Sequence, residues 1–323
     1  MNVFCTRRIA REGVILMEQA GHHITAWEEE RLPDNDELIQ DCLRQDALIV
    51  ADRNRIDAAF LQACKHLKVI ALHSVGYNNV DIEKAAQLHI PVGHTPDAGS
   101  KEVADTAFML MIAVSKDAFY MHQKIRKGEW GHFEPTGHLG TNLRGKTLGI
   151  FGLGNIGLEM ARLSQAAYGM NIIYHNRHRN LRAETMLNAR MVSFDDLLAH
   201  SDVLSVHAAL TPETKGLFDA KTLSRMKPSA IFINTARGGI HDETALTEAL
   251  QKGRLGGVGL DVTRPEPMSP DHPMLSMPHV VVTPHIGNAV DTARTKMAVM
   301  VAENIIAAGK GLPLPYSVPG AKF

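Results

Sequence analysis

Short apolar runs alternate along the chain with segments whose apolar residues recur every three or four positions. In the first third the runs are Asn2–Cys5, His23–Trp27, Ala47–Val50, Val69–Leu72 and Pro91–Gly93. Brief and mostly apolar, they are bounded by turn-forming or charged residues, which is the pattern of buried strands. Between them, helical spacing covers about 9–20, 35–44, 57–65 and 81–88. From Ser100 to about Lys127 a stretch rich in Ala, Met and Leu predicts one long helix. A second series of strands follows at Thr147–Phe151, Ile172–Tyr174, Val203–His207, Ala230–Asn234, Gly257–Asp261 and Val280–Val282. Helices are expected near 194–200, 219–226 and 242–252, and a last one over Asp291–Ala308. Strands alternating with helices predict α/β units with parallel, doubly wound sheets. The second series leaves only one helix after it. The pattern therefore reads as a domain of residues 100–289 inserted into another made of 1–99 and 290–323.

The most informative stretch opens the second series. Strand Thr147–Phe151 runs into Gly152-Leu153-Gly154-Asn155-Ile156-Gly157, and Ile156, Met160, Leu163 and Ala167 then carry helical spacing up to Gly169. Three glycines at this spacing gain a mechanism only between a strand and a helix, and they stand there. The first permits a tight turn, the second lets the backbone approach a pyrophosphate, and the third lets helix pack on strand. The helix N-terminus then faces the phosphates. Gly152, Gly154 and Gly157 therefore mark a dinucleotide site.

The next strand ends Tyr174-His175-Asn176-Arg177-His178. An Asp or Glu at this place in NAD-binding units accepts hydrogen bonds from the ribose hydroxyls. Here no carboxylate repels a 2′-phosphate, and Arg177 is available to pair with one. His175, Asn176 and Arg177 thus predict NADP(H) in preference to NAD(H).

Composition removes several function classes. Lys+Arg (34) nearly balances Asp+Glu (35) and aromatics make up 5%, so neither nucleic acid nor an anionic membrane surface is indicated as a partner. Cys5, Cys42 and Cys64 form no C-x-x-C pair and read as reduced thiols of a cytoplasmic protein. No metal-ligand spacing is present, and no apolar run is long enough to span a bilayer.

Ligands of doubly wound sheets bind at the carboxyl ends of the strands. Two chemically apt residues fall there. Arg237, in Asn234-Thr235-Ala236-Arg237-Gly238-Gly239, offers a planar guanidinium suited to bidentate carboxylate binding. His285, in Thr283-Pro284-His285-Ile286-Gly287, is suited to general acid/base work near neutral pH. Glu266, held between Pro265 and Pro267, is a candidate partner that would orient and charge the histidine.

Six ordered segments together resemble the D-isomer-specific 2-hydroxyacid dehydrogenase family over nearly the whole chain: 74–81, 103–111, 152–157, 226–239, 256–267 and 283–289. Within it, the chain looks most like glyoxylate/hydroxypyruvate reductases and 2-ketogluconate reductases. The resemblance implies a flavodoxin-like substrate domain carrying an inserted Rossmann-type nucleotide domain. It implies that Arg237 binds the substrate carboxylate, helped by backbone groups of Val75 and Gly76. His285 would be the acid/base and Glu266 its partner. Asn155, Ile156, Thr235, Asp261 and Gly287 match family cofactor-contact positions. Similar proteins are homodimers joined through the nucleotide domains. The chain departs from NAD-using members in placing His175 where they have an acidic residue. It also stops soon after the last helix, so no appended regulatory domain is expected. The function implied is NADPH-dependent reduction of a small 2-oxo acid. The rival is an NAD(P)H-sensing regulator on the same fold.

Overall fold

Period-two alternation decides how the first sheet is covered. Its elements are β1 (Asn2–Cys5), α1 (Arg11–Gln19), β2 (His23–Ala26), α2 (Asn35–Cys42), β3 (Ala47–Val50), α3 (Ala58–Ala63), β4 (Val69–Leu72), α4 (Ile82–Gln87) and β5 (Val92–Gly93). Phe4, Leu48, Val50, Ile70 and Leu72 enter the core on one face, and Val3, Cys5, Ala47, Ile49, Val69 and Ala71 enter it on the other. A sheet buried on both faces needs such unbroken apolar runs. Every pairing between these strands is parallel, and the order is β2-β1-β3-β4-β5, the flavodoxin-like arrangement. Aspartates set the helix starts. Asp34 accepts from the Glu37 amide while Glu37 accepts from the Asp34 amide, a capping box. Asp57 and Asp81 cap α3 and α4 through Phe60 and Lys84.

These results come from a computed structural model that describes residues 1–321. It divides into two units, Met1–Gly99 with the chain from Ala289 onward, and Ser100–Asn288.

The second unit contains α5 (Ser100–Ser115), α6 (Ala118–Arg126), β6 (Thr147–Phe151), α7 (Asn155–Tyr168), β7 (Asn171–His175), α8 (Leu181–Leu187), β8 (Arg190–Met191), α9 (Phe194–His200), β9 (Val203–Val206), α10 (Ala220–Leu223), β10 (Ile231–Asn234), α11 (Glu243–Gln251), β11 (Gly257–Leu260) and β12 (Val280–Val282). Its parallel sheet has the order β12-β11-β10-β9-β6-β7-β8. The chain reverses direction across the sheet between β6 and β9, which is where a doubly wound sheet opens a crevice for ligands. Leu148, Ile150, Ile231 and Ile233 pack toward α5 and α7, while Leu204, Phe232, Val258 and Leu260 fill the opposite face. The last helix, α12 (Asp291–Gly309), belongs to the first unit, where it packs on α1 and β4. Among the described residues no helix is long and apolar enough to cross a membrane.

Two expectations are corrected. The single helix from Ser100 to Lys127 is two helices, because Asp117 takes a left-handed conformation with φ 55°. The carboxylate of this buried aspartate accepts the His279 amide at 2.6 Å, an attachment that a continuous helix would not provide. The helix α8 and strand β8 were not anticipated. Asn180 caps α8 by accepting from the Ala183 amide, a cap signal hidden in the polar stretch after His175.

Burial also sets a pH response in the first unit. His73 follows β4, is 7% exposed, and is pushed from 6.5 to about 4 by burial and then by the nearby Arg294 charge. Between those values the unfolded chain binds a proton that the native imidazole refuses. Stability should therefore fall as pH drops from about 6.5 to about 4, with this group contributing about 3 kcal/mol. Urea unfolding of the wild-type protein and of His73→Gln at several pH values checks this. The variant should lose that part of the slope, and identical slopes would remove His73 from the effect.

Candidate active site

The glycine turn is built by close approach. Gly152 has φ +96°, and a Cβ there would stand 2.5 Å from the Ala208 nitrogen. At Gly157 a Cβ would stand 2.7 Å from the Gly152 carbonyl oxygen. Neither position accepts a side chain. Gly154 differs, since a Cβ there meets nothing within 4 Å. It begins α7 without any side-chain cap, so the helix N-terminus, carrying Asn155 and Ile156 in its first turn, faces open space. A backbone cradle with no capping side chain and a positive helix end fits a pyrophosphate.

At the end of β7 the three residues differ in what holds them. His175 stacks on Phe151, with ring centroids 6.0 Å apart and planes 4° apart, and its Nδ1 lies 3.0 Å from the Val192 carbonyl oxygen. Asn176 clamps the glycine turn: its Oδ1 accepts the Leu153 amide at 2.6 Å and its Nδ2 donates to the Leu153 carbonyl at 3.3 Å. Arg177 is exposed and lies within electrostatic reach of Glu213, whose pKa it helps to lower, whereas neighbouring Arg179 is hydrogen-bonded to Glu184.

At the carboxyl ends of β10, β11 and β12 the remaining residues gather. His285 Nδ1 lies 2.6 Å from Glu266 Oε1. A carboxylate only accepts here, so Nδ1 carries the proton and Nε2 is left for chemistry. The histidine sits at φ 55°, in a turn closed by its own amide donating to Thr283. Asp261, 2% exposed, secures that turn by accepting from Thr283 Oγ1 at 2.6 Å, the Ile286 amide at 2.9 Å and the Gly287 amide at 2.8 Å. Arg237 is half-buried and donates to the Ala236 carbonyl at 2.7 Å. Burial pushes its pKa down, and the Glu266 charge pushes it partly back, which puts guanidinium and carboxylate within electrostatic reach.

Thr235 Oγ1 lies 3.5 Å from His207 Nδ1, at the ends of adjacent strands. Sequence reasoning passed over His207, although it ends a strand just as Arg237 and His285 do. Burial pushes it down to about 3, so it works as a neutral imidazole against Ser205 Oγ at 2.8 Å.

Val75 and Gly76 belong to the first unit, in the loop after β4. Ser74 Oγ donates to the Gly76 carbonyl at 2.7 Å, and His94 Nδ1 lies 2.9 Å from the Val75 carbonyl. With both carbonyls held, the Val75 and Gly76 amides donate to nothing among the described residues. Adjacent free amides make an anion-binding concavity.

Known proteins resemble this chain over most of its length. The family profile described as "D-isomer specific 2-hydroxyacid dehydrogenase, NAD binding domain" matches residues 108–287. A glyoxylate reductase of Thermococcus litoralis is 40% identical over 313 residues, covering 96% of this chain and 94% of that protein. The crystal structure of a glyoxylate reductase from Paecilomyes thermophila aligns with a TM-score of 0.88 at 33% identity, covering 100% of this chain and 99% of that one. An NADPH-dependent glyoxylate/hydroxypyruvate reductase from Sinorhizobium meliloti, in complex with NADP and malonate, aligns at 0.86 with 30% identity over 100% of this chain and 98% of that one. An uncapped glycine cradle and a histidine–carboxylate pair near a half-buried arginine are thus found in a chain that these relatives match over nearly its whole length. The chain belongs to the D-isomer specific 2-hydroxyacid dehydrogenase family and is an oxidoreductase.

Proposed function

We propose that the protein reduces a small 2-oxo acid, glyoxylate or hydroxypyruvate, to the D-2-hydroxy acid, with NADP(H) preferred over NAD(H). The observation that carries the reading is the 2.6 Å His285–Glu266 contact in a unit where Arg237 lies within reach of the same carboxylate. A dinucleotide held by its pyrophosphate at the glycine cradle would supply a hydride to the 2-oxo carbon. Arg237 holds the substrate carboxylate bidentately. His285 releases the proton on Nε2 to the developing alkoxide, and Glu266 stabilises the imidazolium that precedes it. Asp261 keeps that histidine in place, and its second oxygen retains capacity for a cofactor donor. Thr235 and Gly287 border the same strand ends. The relatives named glyoxylate reductase support the substrate class.

The test is NADPH oxidation against glyoxylate, hydroxypyruvate and 2-ketogluconate. Turnover of 2-ketogluconate alone would move the substrate to the longer acid. No turnover of any 2-oxo acid would favour an NAD(P)H-sensing regulator.

The cofactor preference rests on the exposed Arg177 and on the absence of a carboxylate at His175 and Asn176. It is supported by the NADPH-dependent Sinorhizobium relative. Arg177→Ala should raise the KM for NADPH about tenfold and leave that for NADH within about twofold, since one charge-assisted phosphate contact is removed. Asn176→Ala should weaken both cofactors alike, because it unclamps the shared glycine turn. Steady-state kinetics with both cofactors separate the two, and equal effects of Arg177→Ala on NADPH and NADH would rule out 2′-phosphate recognition.

We also infer a cytoplasmic homodimer. Trp130, Phe133 and Leu139, which are 80%, 86% and 68% exposed in the segment after α6, support a covered surface there. Light scattering should return twice the chain mass.

A further inference from the structure

A buried polar chain connects the two halves of the candidate site, and none of its members was singled out by the sequence. It begins at Asn234, the last residue of β10, which is fully buried. Its Oδ1 accepts the Ala236 amide at 2.8 Å, and its Nδ2 donates to the Arg237 carbonyl at 2.9 Å. These two backbone partners fix which end of the amide is oxygen. They also hold the main chain on both sides of the Arg237 Cα. The second hydrogen of Nδ2 points to His241 Nδ1 at 2.8 Å. An amide nitrogen cannot accept, so His241 Nδ1 must, which puts the imidazole proton on Nε2.

That Nε2 lies 3.8 Å from Glu243 Oε1, at the first residue of α11, which is beyond hydrogen-bond distance, and it has no hydrogen-bond partner among the described residues. His241 and Glu243 are 4% and 9% exposed. Glu243 Oε1 also accepts the amide of Arg264, two residues before Glu266. On its other side, Glu243 Oε2 lies 3.8 Å from His272 Nε2, and His272 Nδ1 accepts the Met274 amide at 3.3 Å, so that Nε2 again carries the proton. Glu243 is thus hydrogen-bonded to the loop bearing Glu266 through the Arg264 amide, and it lies beside His241 and His272 at 3.8 Å without bonding either.

We propose that Asn234, His241 and Glu243 are positioning residues that hold Arg237 and Glu266 in mutual register, with His241 acting on the arginine end and Glu243 on the carboxylate end. The inference rests on the assignment of Arg237 as the carboxylate-binding group. Because misplacement by about 1 Å costs on the order of a hundredfold in an oriented reaction, modest loosening should be measurable. It should also be divisible, since the two ends govern different constants.

The experiment uses paired variants that remove or keep each acceptor. His241→Leu removes the acceptor for Asn234, and His241→Asn keeps one near the Nδ1 position. Glu243→Ala removes the acceptor for the Arg264 amide, and Glu243→Gln keeps one. Oxamate, a non-reactive 2-oxo acid mimic, is titrated into each protein with NADPH present, alongside kcat for glyoxylate and NADPH affinity. His241→Leu should weaken oxamate about tenfold and leave kcat within about threefold, with His241→Asn restoring binding to within about twofold of wild type. Glu243→Ala should lower kcat about tenfold and leave oxamate binding within about threefold, with Glu243→Gln recovering most of it.

Substrate affinity, kcat and NADPH affinity falling together in every variant would overturn the proposal in favour of a general structural role. So would equal effects of the removing and keeping variants. If Glu243→Ala fails to fold, the His241 pair still decides the arginine end, and Glu243→Gln decides the other by its kcat. If the wild-type protein turns over no 2-oxo acid but binds oxamate, the reductase reading falls while the oxamate arm still tests the positioning. Failure of the wild-type protein to bind oxamate overturns the inference.

Discussion

Replacing His285 by asparagine is expected to lower kcat for 2-oxo acid reduction by about 10²-fold or more, the usual contribution of a positioned general acid. Asparagine is the informative choice because this residue sits at φ 55°, a conformation that asparagine tolerates better than most side chains. The turn held by Asp261 should then survive, and only the transferable proton is lost. NADPH affinity should stay within about twofold, because the cofactor cradle lies on β6 and α7 and has its own supports. Stopped-flow NADPH oxidation reads the chemistry, and fluorescence titration reads the binding. A variant with near-normal turnover would remove His285 from the mechanism. Glu266→Gln should produce a smaller loss in kcat, since the glutamine oxygen still accepts from Nδ1 but no longer balances the imidazolium charge.

Arg237→Ala is expected to reduce kcat/KM for the 2-oxo acid by about 10²- to 10³-fold. Two charge-assisted hydrogen bonds are lost, each worth about 1.5–3 kcal/mol, and partial replacement by water recovers some of that. Arg237→Lys should recover less than about tenfold of the loss. A lysine carries the charge but cannot present two parallel donors to one carboxylate. Half-burial makes the effect larger than at a surface arginine, and it explains the contrast with exposed Arg177, whose removal should touch the cofactor alone. Kinetics at varied glyoxylate and saturating NADPH measure this. A lysine variant equal to wild type would show that simple charge, not geometry, is recognised.

How much of this was legible in the sequence varies with the range of the interaction responsible. Strands buried on both faces announce themselves as apolar runs, so Ala47–Val50 and Val69–Leu72 read correctly to the residue. The glycine turn reads well because backbone approach at Gly152 and Gly157 forbids anything larger. His285 and Arg237 stand out by the rule that strand ends bear ligands, and the same rule, applied without preference, would have found His207. What failed was long-range capture. Asp117 breaks a helix of good helix formers because His279, far along the chain, takes its carboxylate. The part of Asn176 in the glycine turn was equally hidden, since both of its side-chain polar atoms bond Leu153. Asn234, His241 and Glu243 carry no motif. Their meaning lies in which backbone groups they meet, and spacing does not encode that.

The return of α12 to the first unit has a consequence for how the chain is made. Residues 1–99 are made well before Val301, Ala302 and Ile305, which join Met17 in covering the face formed by Val3, Cys5, Ala47, Ile49, Val69 and Ala71. At about 5–20 residues per second, the interval is on the order of 10–40 s. During that time the part of the face that α12 covers is left without its cover, while the contiguous segment Ser100–Asn288 is synthesised. Truncation of the chain before Asp291 should therefore lower the soluble yield relative to the full chain even though every cofactor-cradle residue is already present.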